Sequence, residues 1–169
     1  MLPSTAQTER NRRKKAAGFS LIELLIVVAV ILVVAAIAIP NFIRSKMRAN
    51  EAAAVANLRN ITTAEVVYNT SYGVGFSPAL ANLGGNPVIP DATQAGLIDS
   101  VLSAGAKSGY NFTYTVLVTD PNGNVQAFSV NADPISPGTT GDRHFYSDQS
   151  AVIRQNLTTS AVASDPPIQ

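Results

Sequence analysis

"KKAAGFSLIELLIVVAVILVVAAIAIP", residues 14–40, sets two lysines ahead of a glycine and then a long apolar run with one acid inside it. From Leu24 to Ile39 there are 16 consecutive apolar residues, and from Phe19 to Ile39 only Ser20 and Glu23 interrupt. At ~1.5 Å per residue, a helix over this stretch is ~30 Å long, the thickness of a hydrocarbon core. Three readings fit a basic start followed by such a run. One is a secretory signal cut after the A-x-A-like Ala36-Ile37-Ala38. Another is a permanent single-pass anchor. The last is a leader cut ahead of the apolar stretch, which leaves the hydrophobic helix on the mature chain. Glu23 separates them. An acid at the centre of a membrane helix costs roughly 2.5–3.5 kcal/mol on insertion scales, and less near an end. A signal peptide or a passive anchor gains nothing from that penalty.

The run Gly18-Phe19-Ser20-Leu21-Ile22-Glu23, with basic residues before it and Pro40 after it, closely resembles the prepilin signature of type IV pilins and type II secretion pseudopilins. The resemblance covers residues 10 to about 65 well and the rest only loosely. It implies that a membrane peptidase cuts after Gly18 and methylates the new amine of Phe19. It also implies an assembly role for Glu23, through pairing with the amine of its own or the next subunit, and a helix-bending role for Pro40.

Past Pro40 the pattern becomes amphipathic. Val55, Leu58, Ile61, Ala64 and Tyr68 recur at spacings of three or four, one face for a core, while Arg44, Lys46, Arg48 and Glu51 read as polar surface. The Ala-rich EAAAVANL piece has high helix propensity. Gly73 and Gly75 supply a stop, so one helix is expected from about Phe19 to Tyr72. Residues 76–96, rich in Pro, Gly and Asn, read as a long surface loop. Ala92 to Ser103 reads as a short helix capped by Asp91 or Thr93. Strands are expected at Tyr110–Thr119, Val125–Asn131, Arg143–Ser147 and Ala151–Arg154, with a turn at Pro121-Asn122-Gly123. The fold class is α+β: a long N-terminal helix, apolar then amphipathic, packed on a small antiparallel sheet, in agreement with the pilin fold that the resemblance implies. The expected organisation is a leader at 1–18, an apolar transmembrane and assembly helix at 19–40 and its amphipathic continuation at 41–75. A globular headpiece occupies 76–157 and a loose tail 158–169.

Charge and motif content narrow the function. Five of the 12 Lys and Arg precede Gly18 with one acid, leaving 7 basic and 10 acidic side chains from Phe19 onward, a net of −3. That balance provides no evident nucleic-acid site, which needs clustered cations to displace counterions. There is no cysteine, hence no disulfide and no Cys-containing zinc site. No G-x-S-x-G elbow, phosphate loop or H-E-x-x-H is present, so neither an enzyme nor a cofactor is expected. Asp142 and Asp148 flank the single histidine, His144, and are candidate calcium ligands because hard cations take oxygen donors. Turn formation explains them as well. Phe19, Phe42, Tyr68 and Tyr72 read as packing residues.

The resemblance therefore implies a structural subunit, a major pilin held in the inner membrane, processed at Gly18 and polymerised with copies of itself into a cell-surface filament. Its partners would be the peptidase/N-methyltransferase and the pilus or secretion assembly machinery. The alternatives are a major pseudopilin of type II secretion, working in the periplasm, or a membrane-anchored or secreted binding domain.

Overall fold

The computed structural model describes residues 18–85 and 88–168. Of the expected leader, residues 1–17 lie outside the described residues and Gly18 among them. One helix, α1, runs Leu21–Tyr72, and the chain divides into two compact units between Ile39 and Pro40.

In the first unit α1 carries β-branched residues in number, which are mediocre helix formers in water. A helix is nevertheless the form that satisfies every backbone group without outside partners, as lipid requires. None of its most apolar 18-residue window is buried within the subunit. The helix assignment continues through Pro40, although a proline cannot donate to the carbonyl of Ala36 one turn back.

In the second unit α1 buries Met47, Glu51, Ala54, Leu58, Ile61, Glu65 and Tyr68, a stripe with steps of three and four. Glu51, expected at the surface, is only 6% exposed. The stripe runs through position 51, and hydrogen bonds described below offset the burial. The helix ends at Gly73, whose φ of +65° suits a residue without Cβ and whose N–H donates to Asn69 O at 3.0 Å.

Five strands follow: β1 (Ala106–Lys107), β2 (Tyr110–Thr119), β3 (Val125–Pro134), β4 (His144–Asp148) and β5 (Arg154–Asn156). They form one antiparallel meander in sequence order. Alternation sends Tyr110, Phe112, Phe128, Val130, Ala132 and Phe145 into one core with Leu58, Ile61 and Tyr68 of α1. The long helix on a small antiparallel sheet is the α+β architecture expected. Asp120 closes the β2–β3 turn by accepting from the N–H groups of Asn122 and Asn124 at 2.9 and 2.8 Å.

Several boundaries differ from expectation. The short helix read at 92–103 is confined to α3 (Ser100–Ser103), capped by Asp99 Oδ1 on the N–H groups of Val101 and Leu102. Upstream, Asp91 Oδ1 closes a turn on Thr93 and Gln94, and Gly96 at φ +63° breaks any helical path. A further helix, α2 (Leu80–Leu83), sits in the stretch read as loop, because Leu80 and Leu83 both enter the core. The last strand starts at Arg154 rather than Ala151, since Ala151 has φ +58° and donates to Asp148 O in a turn. The C-terminal segment, expected to be loose, is tied down. Asn131 Nδ2 donates to Ala161 O at 2.7 Å, Ile168 N donates to Ile153 O at 3.0 Å, and Ala161 is 1% exposed.

Candidate functional site

The start of α1 is built by two side chains that reach past each other. Ser20 Oγ accepts from Ile22 N–H at 3.4 Å, and Glu23 Oε2 accepts from Ser20 N–H at 3.1 Å. The serine caps the second N–H of the helix and the glutamate supplies the back-reaching half of a capping box, so two of the donors that any helix leaves open at its start are satisfied. A carboxylate here also faces the positive end of the helix dipole. Glu23 thus has a local use that the cost of inserting an acid does not reveal. The Ser-x-x-Glu spacing ahead of an apolar run is the signal for it.

Gly18 and Phe19 precede the helix and are exposed, Phe19 by 82%. A Cβ built on Gly18 meets nothing within 4 Å. The fold of the described residues therefore places no demand for glycine at this position.

Two acids in the α1 stripe hold the rest of the headpiece to the helix. Glu51 Oε1 accepts from the N–H groups of Asp142 and Arg143 at 3.1 and 3.3 Å, and Oε2 accepts from Arg143 Nε at 2.8 Å. One residue earlier, Asn50 Nδ2 donates to Thr140 O at 2.8 Å. Together they pin the connection ahead of β4. Burial pushes the Glu51 carboxyl up, but the Asp142 and Arg143 donors and the guanidinium charge outweigh it. The net position is below the usual carboxylate range. Glu65, fully buried, accepts from both the N–H and the hydroxyl of Ser77, and no cation pairs with it among the described residues. Its burial outweighs those hydrogen bonds and raises its carboxyl. The apolar pattern points to the stripe but not to either acid within it.

The candidate calcium ligands are engaged in turns. Asp142 Oδ1 accepts from Gly138 N–H at 3.1 Å, and Asp148 Oδ1 accepts from Ser150 N–H at 2.9 Å. His144 does not turn to either of them; its Nδ1 lies 2.6 Å from Asp133 Oδ1, the neighbour across the β3–β4 ladder. Among the described residues no group of three or more metal-binding side chains comes together. Tyr68 and Tyr72 pack at 4.9 Å between ring centroids, and Tyr68 joins the core.

What remains as a functional surface is the N-terminal segment: an exposed scissile candidate, a capped acid and an apolar helix whose most apolar window no described residue buries. A family model described as the prokaryotic N-terminal methylation motif matches residues 13–39. The chain is 38% identical over 98 residues to the type IV wide pilus major component PilA4 of Thermus thermophilus, covering 56% of this chain and 70% of that protein. It is 41% identical over 81 residues to the type IV major pilin protein PilA of Myxococcus xanthus, covering 43% of this chain and 34% of that protein. No solved structure matches.

Proposed function

The chain belongs to the type IV pilin family, and on that premise we propose that it is the structural subunit of a pilus, and the major one. The precursor is held in the inner membrane by residues 19–40. It is cleaved after Gly18, methylated on Phe19 and polymerised with copies of itself through its N-terminal helices. The peptidase/N-methyltransferase and the pilus assembly machinery are its partners on that route. A pilus is preferred to a secretion pseudopilus because one relative above is named as a pilus major component and the other as a major pilin.

The observation that carries this reading is the uncovered apolar half of α1. In the membrane, lipid covers it. In a filament, only other copies of the same helix can do so, and burial at roughly 25 cal/mol per Å² then favours assembly over exposure to water. Glu23 rides into that apolar core, where an unpaired carboxylate is expensive and one paired with a Phe19 amine loses much of the penalty. Pro40 removes one N–H from the ladder, at a cost of ~3 kcal/mol in a helix interior. That makes it the point where the helix bends in the subunit or opens on packing.

The processing step is tested by Gly18→Val. Because a Cβ on Gly18 meets nothing within 4 Å among the described residues, the substitution addresses the peptidase rather than the fold. The expected result is full-length precursor retained in the membrane fraction. A normal mature mass from this variant would show that the cut lies elsewhere.

A further inference from the structure

A cleft of about 610 Å³ lies in the second unit between α1 and the connection to β4, lined among others by Arg44, Met47, Arg48, Arg143 and Leu157. Its charges are unequally satisfied. Arg143 is neutralised by Glu51 and lies over the Phe145 ring. The two carboxylates at the cleft are also occupied: Glu51 by Arg143 and two backbone N–H groups, Asp142 by Gly138 N–H. Arg44 and Arg48 stand one turn apart on α1, both exposed, and no carboxylate among the described residues lies within ion-pair distance of either. No carboxylate of the described residues thus completes this cleft.

We propose that the Arg44–Arg48 cleft binds the phosphate of an anionic phospholipid headgroup while the subunit is stored in the membrane. Three features favour a lipid over a soluble phosphate. Arg44 follows the apolar run by only five residues, ~7.5 Å of helix rise, which matches the depth of a headgroup layer beside a ~30 Å hydrocarbon core. Helical side chains lean toward the helix N-terminus, which brings both guanidinium groups back toward the lipid. The rim is also apolar: Leu157, which lines the cleft, is 68% exposed. A small inorganic ion would leave it in water. Topology does not account for these arginines, because the basic residues before Gly18 already orient the span and Arg44 and Arg48 lie on its other side. The site belongs to the stored subunit and draws on the membrane step of the proposed function, not on filament assembly.

The test uses the mature full-length chain in zwitterionic detergent micelles, with backbone amide NMR shifts as the readout. The probes are dioctanoyl phosphatidylglycerol, dioctanoyl phosphatidylcholine and inorganic phosphate. Phosphatidylglycerol should give saturable shifts at Arg44, Arg48, Arg143 and Leu157, phosphatidylcholine none, and inorganic phosphate much weaker ones. The pair is exposed and makes no ion pair among the described residues, so Arg44→Gln with Arg48→Gln should keep the spectrum of the core. It should weaken phosphatidylglycerol binding roughly thirtyfold, at about fivefold for each cation. Lys46 does not line the cleft, so Lys46→Gln should weaken binding less than either arginine substitution alone. Equal shifts with phosphatidylcholine, or an unaffected double variant, overturn the site. Inorganic phosphate binding as tightly as phosphatidylglycerol overturns the lipid assignment. Shifts at these amides that follow protein concentration without lipid assign the cleft to a second copy of the chain and overturn the proposal. The subunit is unassembled throughout, so failure here is distinct from failure of the filament reading.

Discussion

Glu51 of α1 and Arg143 at the entry to β4 meet through two contacts of 2.8 Å, from Nε and Nη2 of the guanidinium to one carboxylate oxygen, while the other oxygen accepts from two backbone N–H groups. The pair joins residues far apart in sequence and closes the headpiece onto the helix. Glu51→Ala should destabilise the chain by roughly 2–4 kcal/mol. The backbone donors of Asp142 and Arg143 lose their acceptor, and the guanidinium, partly exposed, recovers only some of its hydration. Because the folded carboxyl titrates below its ordinary value, its stabilisation is complete above about pH 4.5 and is lost as pH falls through the folded value. Thermal unfolding of the full chain in micelles, followed by circular dichroism, should show a shallower acid loss for Glu51→Gln than for the native chain. Parallel acid profiles would contradict the assignment.

Glu65 has the opposite sign. Its carboxyl is raised by burial, so ionisation penalises the fold at neutral pH, and the penalty fades as pH falls through the folded value towards the unfolded one. Glutamine can accept from Ser77 N–H and donate to the Ser77 hydroxyl, which then donates to Ala79 O, already 3.1 Å away. Glu65→Gln should therefore be at least as stable as the native chain at pH 7, and the native chain should gain on it with acidification. Glu65→Ala should cost roughly 2–3 kcal/mol from the cavity and the orphaned donor. Urea unfolding at pH 7 and pH 5 separates these outcomes, and a less stable glutamine variant at pH 7 would contradict them.

How far the sequence alone reveals these features depends on the range of the interaction. The long helix, its amphipathic turn after Pro40 and the β2–β3 hairpin with its Pro121-Asn122-Gly123 turn follow from local periodicity and turn chemistry, and the structure has them. The burial of Glu51 and Glu65 is hidden because their partners, Asp142, Arg143 and Ser77, come from other elements. The tied-down tail is hidden for the same reason. Its polar, Pro-containing sequence reads as loop, and partners on other elements, among them Asn131, Asp133, Ile153 and Arg154, show where it lies. The N-terminal segment is readable in spacing and charge. The Ser20–Glu23 cap is a local contact within reach of the same reading, but weighing Glu23 only by its membrane cost does not find it.

That cap changes how Glu23 must be tested. Alanine removes both the acceptor for Ser20 N–H and the charge, whereas glutamine keeps the acceptor and removes only the charge. If pairing with a Phe19 amine drives docking, Glu23→Gln and Glu23→Ala should both be cleaved at Gly18, remain in the membrane and fail to form filaments when either is the only subunit present. Electron microscopy of cells and the mature mass of the membrane fraction give both readouts. Filaments from the glutamine variant but not from alanine would make capping the requirement and remove the ion-pair account.

The central claim is that this chain is cut ahead of its apolar helix and built into a filament with that helix retained. N-terminal sequencing and intact mass of the protein sheared from cell surfaces test it most directly. The predicted result is a filament fraction whose subunit begins at N-methylated Phe19 and carries every residue from there through the apolar run. A subunit beginning at Ile39, as after an ordinary signal cut, or filaments from which this chain is absent, would contradict the account.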